Sequence, residues 1–185
     1  MNISVVRSCL LIGLLLFLGG CYESEVPMAK SGQTEIDGRL IGDWQFTGGT
    51  DSDGKVIKNL SLVLKMRQFN AFEYFVEWYE EENRAGVSHS DTYWIRSYIV
   101  MVDQASFINA QLINSLNISK RKFIYCRYSL SDTGQLTLRL LNEDLLSEQK
   151  LTTSEALYSF IRKNLNNDKL HSSVIHLRRT ARQVP

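Results

Sequence analysis

Cysteine is scarce in this chain: three of 185 residues, at positions 9, 21 and 126. So sparse a set supplies neither the disulfide framework of a small secreted scaffold nor a multi-cysteine metal site. Proline is scarcer still, at two residues, and no repeat or low-complexity block replaces it. An excess of one charge is also missing, since 21 basic residues face 20 acidic ones. Near-neutrality removes the electrostatic case for nucleic acid or for an anionic membrane surface as a partner. The continuous apolar run "CLLIGLLLFL", Cys9 to Leu18, would form a helix at ~1.5 Å per residue, about half of a ~30 Å hydrocarbon layer. It is therefore too short to span a membrane. No phosphate-binding loop, HExxH, GxSxG or CxxC is present. The sequence accordingly assigns no catalytic residue, no cofactor and no metal.

What is there begins with "MNISVVRS", which carries one positive charge, Arg7, and no acid ahead of that apolar run. A charged start, a short greasy middle and small residues at the end are the requirements of a secretory signal peptide. Residues 1–20 are therefore expected to leave as a leader. Cys21 follows two glycines, and redox chemistry, metal ligation, packing and attachment are the roles to separate. "LGGC", Leu18 to Cys21, resembles the lipobox of bacterial lipoprotein precursors. That resemblance implies cleavage before Cys21, a diacylglycerol on its sulfur and a further acyl chain, such as palmitate, on the new amino terminus. Two or three chains, at ~0.8 kcal/mol per buried CH₂, anchor a protein to a membrane almost permanently. Tyr22 in place of aspartate implies the outer membrane in a two-membrane cell, and the expected location is the cell envelope. Cys126 is then the one thiol left.

Residues 21–37, including the polar "YESEVPMAKSGQTEID", show no sustained period and read as a lipid-anchored tether. Beyond them, residues 38–185 read as one domain dominated by period two. "NLSLVLKMR" puts Leu60, Leu62, Leu64 and Met66 on one face; "QLTLRLL" does so with Leu136, Leu138 and Leu140; "FIYCRYSL" with Ile124, Cys126, Tyr128 and Leu130. Further strands are expected at Leu40–Thr47, Phe72–Tyr79, Tyr93–Val102, Phe107–Leu112 and Ser173–Arg179. Phe72, Phe75, Val76 and Tyr79 also fit a helical face, but five aromatics in eight residues favour a strand there. "TTSEALYSFIRKNLNND" predicts a helix, with Thr152 and Glu155 at capping-box spacing and Leu157, Phe160, Ile161 and Leu165 on one side. The order is seven strands, a helix and a last strand.

Such strands bury one face and lose their edges by closing into a barrel, with the helix expected across a barrel end. "LIGDWQF" then gains meaning, because Gly42-x-Trp44 at the head of the first strand resembles the lipocalin signature. The resemblance implies a mainly β fold, an antiparallel up-and-down barrel of about eight strands with one C-terminal helix before the last. It also implies that Trp44 closes the barrel base under an arginine from the last strand. Arg179, in phase with Ile175 and Leu177, is the preferred partner and Arg178 the second.

Tyr74, Trp78, Tyr93, Ile95 and Tyr128 fall on apolar strand faces, where they either line a ligand cavity or fill the core. Two functions remain open: a binder of a small hydrophobic or amphiphilic ligand, or a filled barrel that contacts another envelope protein. His89, His171 and His176 lack ligand spacing and read as structural or solvated. Cys126 reads as a buried, inert thiol, and Glu80–Glu82 as a solvated run whose carboxylates diverge.

Overall fold

The computed structural model describes residues 23–58, 60–84, 87–113, 122–149 and 151–180. Cys21 and the leader lie outside them. The strands are β1 (Glu23–Ser24), β2 (Gly42–Thr50), β3 (Leu60–Gln68), β4 (Glu73–Arg84), β5 (Val87–Val102), β6 (Ala105–Leu112), β7 (Phe123–Leu130), β8 (Gln135–Leu141) and β9 (His171–Arg179). Two helices, α1 (Glu143–Ser147) and α2 (Ser154–Lys163), fall between β8 and β9. The aromatic segment expected at Phe72–Tyr79 is strand from Glu73 onward, as its composition favours.

From β2 to β9 each strand pairs antiparallel with the next, and β9 returns to pair with β2. The result is a closed eight-stranded up-and-down barrel of the lipocalin-like kind, with β1 added outside that cycle. Closure follows from the alternation: Leu62, Leu64, Met66, Val76, Ile95, Ile99, Ile108, Leu136, Leu138, Ile175 and Leu177 share one interior cluster. Closing the sheet buries them together and leaves no open edge. The β2–β9 pairing shifts register between Phe46 and Gly48, and a Cβ at the following Gly49 would stand 2.2 Å from the Val174 carbonyl oxygen. Only glycine lets the two backbones approach so closely.

A second core lies outside the barrel. Tyr98, Val100 and Val102 of β5, Phe107 of β6 and Tyr125 of β7 point away from the interior and pack with Leu146, Leu157 and Ile161. The helix therefore covers the outer wall of β5–β7 and not a barrel end, which corrects the sequence expectation. The reason is that β5, with Phe107 and Tyr125 of its neighbours, presents an apolar patch on the outer face as well, so that stretch of wall needs a cover. Thr153, not Thr152, caps α2 by accepting from the Ala156 amide. Arg162 Nε then reaches Asp103 Oδ1 at 2.9 Å in the β5–β6 turn.

The segment read as a tether is also fixed to this wall. Glu23 and Ser24 pair with Ile124 and Phe123, just beyond the point where β8 leaves β7 for α1. Met28, 1 % exposed, joins the second core and its amide donates to Asn109 Oδ1 at 3.1 Å. Tyr125 donates to the Val26 carbonyl, and Tyr98 to the Ala29 carbonyl at 2.7 Å. Tyr98→Phe is expected to cost about 1 kcal/mol, the net worth of one such bond. Hydrogen exchange should then speed up between residues 24 and 30, and unchanged exchange there would contradict this anchoring.

Candidate functional site

The base of the barrel is built around Trp44, which is fully buried. Its indole Nε1 donates to the Leu40 carbonyl at 2.8 Å, inside the single 3-10 turn Gly38–Leu40 that precedes β2. Arg179 is the direct β-ladder neighbour of Trp44, and its guanidinium carbon sits 4.8 Å from the ring centroid. That guanidinium also donates to the Arg39 carbonyl. Gly42 has φ +149°, and a Cβ there would lie 3.6 Å from the Arg179 guanidinium. The glycine of the Gly-x-Trp triplet thus has a conformational reason as well as a steric one. Tyr74 completes the base: its hydroxyl accepts from the Asp37 amide at 2.6 Å and donates to the Asp37 carbonyl at 3.1 Å.

All five aromatic or aliphatic residues expected to line a ligand face the interior cluster, but in different roles. Tyr74 is bound to the base. Tyr128 is half-buried near the same end; burial raises its phenol above the ordinary value, against a hydrogen bond from Ser106. Trp78, Tyr93 and Ile95 form a group further along the wall, with Trp78 directly opposite Tyr93 across the β4–β5 ladder. Trp78 Nε1 donates to Glu80 Oε2 at 2.9 Å. The Tyr93 hydroxyl is buried and has no hydrogen-bond partner among the described residues. Burial, then the charges of Glu80 and Asp91, hold it protonated far above its usual range.

Ser97, which the sequence reading did not single out, is the other polar feature of the interior. It is fully buried on the inward face of β5 between Ile95 and Ile99, and its Oγ is likewise unpartnered among the described residues. Its signal in the sequence was a lone hydroxyl in phase with two isoleucines. An unpaired buried hydroxyl costs about 1–3 kcal/mol. Two of them on one strand face make that stretch of wall receptive to a guest with its own donor or acceptor.

The remaining candidates disperse. Cys126 is a buried thiol outside any disulfide, turned inward. His89 is exposed, and His176 meets Thr137 Oγ1 at 3.1 Å on the outer face. His171 is half-buried beside α2. Glu80 turns inward to Trp78, whereas Glu81 accepts from Ser88 Oγ at 2.6 Å on the other side. Trp94 lies on the outer face, stacked on Phe75 with centroids 5.4 Å apart.

No protein-family model and no curated protein matches the chain. Among solved structures it is similar to a de novo designed fluorescence-activating β-barrel, at 12 % identity, covering 80 % of this chain and 100 % of that one, with a TM-score of 0.43.

Proposed function

We propose that the protein is a lipid-anchored envelope protein that binds a small hydrophobic or amphiphilic molecule inside its barrel. The observation that carries the ligand reading is the pair of buried hydroxyls, Tyr93 Oη and Ser97 Oγ, which have no hydrogen-bond partner among the described residues, in an interior lined mainly by apolar side chains. Apolar walls supply affinity by desolvation, and the hydroxyls orient a polar group. Membrane attachment rests on Cys21 and the lipobox resemblance.

Two measurements test this. In a Trp94→Phe background, a panel of fatty acids and lysolipids should perturb Trp78 emission and raise the melting temperature, as any ligand specific to the folded state must. Tyr93→Phe should stabilise the empty protein by about 1 kcal/mol, because it removes an unpaired buried hydroxyl, yet weaken amphiphile binding. Silence across the panel would leave a filled barrel, with the exposed Trp94, stacked on the half-buried Phe75, as the surface for another envelope protein. Separately, Cys21→Ala should release the protein from the membrane fraction; persistent retention would refute the anchor.

A further inference from the structure

On the outer wall, away from the barrel interior, a cavity of about 260 Å³ opens between β7, β8 and the connection from α2 to β9. Arg127 and Arg139 line it and are directly opposite one another across the β7–β8 ladder. Like charges in facing positions repel. Neither arginine has an ion pair or a hydrogen bond among the described residues. Asp168 is the one acid in the lining, and it makes no ion pair with either.

His171, the first residue of β9, lines the same cavity, with both ring nitrogens buried and no hydrogen-bond partner among the described residues. Burial first, then the charges of Arg127 and Arg139, push its pKa down to about 4, partly offset by the backbone at Arg139 and Leu140. Near neutral pH the ring is therefore uncharged and presents one N–H as a donor and one nitrogen as an acceptor. Asn166 adds an exposed amide at the lip.

Two guanidinium forks and an imidazole donor, with no acceptor of their own among the described residues, match a tetrahedral oxyanion better than a planar or apolar guest. We propose that this cavity binds a phosphate group through Arg127, Arg139 and His171. The phosphate belongs either to a soluble ester or to a phospholipid headgroup. The second source has a geometric basis that rests on the lipid-anchor reading. His171 pairs with Leu141 at the barrel end where β1 joins, and Glu23 of β1 is two residues from Cys21, at most about 7 Å of extended chain.

The test is an NMR titration of the His171 imidazole in the purified protein, with inorganic phosphate and, separately, a short-chain phosphatidylglycerol below its micelle concentration. Saturable shifts and a raised His171 pKa are expected with at least one probe. Tighter binding of free phosphate identifies a soluble source, and tighter binding of the lipid a headgroup. Arg127→Gln and Arg139→Gln should each weaken binding by about tenfold or more, the effect of losing one charged hydrogen bond. Their melting temperatures should be unchanged or higher, since each relieves the facing repulsion, so weaker binding would not reflect unfolding. No shift with either probe, or shifts that persist unchanged in both variants, would overturn the proposal. Binding inside the barrel is read by Trp78 and stands or falls separately.

Discussion

Replacing Trp44 with alanine is expected to lower the unfolding free energy by about 3–5 kcal/mol, the range for deleting a large buried aromatic. The ring is fully buried in the interior cluster, so truncation leaves a cavity at the point where β2, β3 and β9 meet. The Leu40 carbonyl loses its indole donor, and Arg179 loses the surface against which it lies. These losses fall on the turn that seals the barrel, which the Tyr74–Asp37 hydrogen bonds then hold without the ring. A urea titration should show a lower midpoint with an unchanged slope. A loss under about 1 kcal/mol would mean that the base does not depend on the ring.

The second large effect is expected at Arg96, although its side chain is 48 % exposed. Its Nη2 pairs with Glu73 Oε1 at 2.5 Å, and the Glu73 side chain is only 3 % exposed. Burial works to raise the Glu73 carboxyl, but hydrogen bonds from Arg96, Asn70 and Ser31 together hold it below its ordinary value of 4.5. Arg96→Ala leaves that buried carboxylate with its neutral partners alone and should cost about 3 kcal/mol at neutral pH. The pH dependence gives the sign. In the native protein the lowered folded value means that this contribution is present above 4.5 and is lost as pH falls through the folded value. In the variant, burial acts without the arginine and favours the protonated form. The stability gap between the two proteins should therefore narrow from pH 7 towards pH 4. A gap that stays constant would place the loss in packing and not in charge.

Much of the barrel was legible because strand alternation is local. Leu60, Leu62, Leu64 and Met66 declare their face within seven residues, and phase alone singled out Arg179 over Arg178 as the neighbour of Trp44. The position of α2 was not legible, because its docking site is assembled from three strands. The run "YIVMV" held a hint, since uninterrupted apolar residues imply that both faces of β5 are covered. The segment from Glu23 to Ala29 gave no period because it is held by separate contacts, chiefly tyrosine hydroxyls meeting its carbonyls. Arg127 and Arg139 face each other across one hairpin and His171 comes from a later strand, so ladder register decides that they are neighbours.

Ser24 and Thr180, near the two ends of the described chain, lie at opposite ends of the barrel. Ser24 pairs with Phe123, where β7 begins, whereas Thr180 donates to the Asp43 carbonyl beneath the tryptophan seal. Two dyes on those residues would therefore span the cylinder's long axis and report any change in its length.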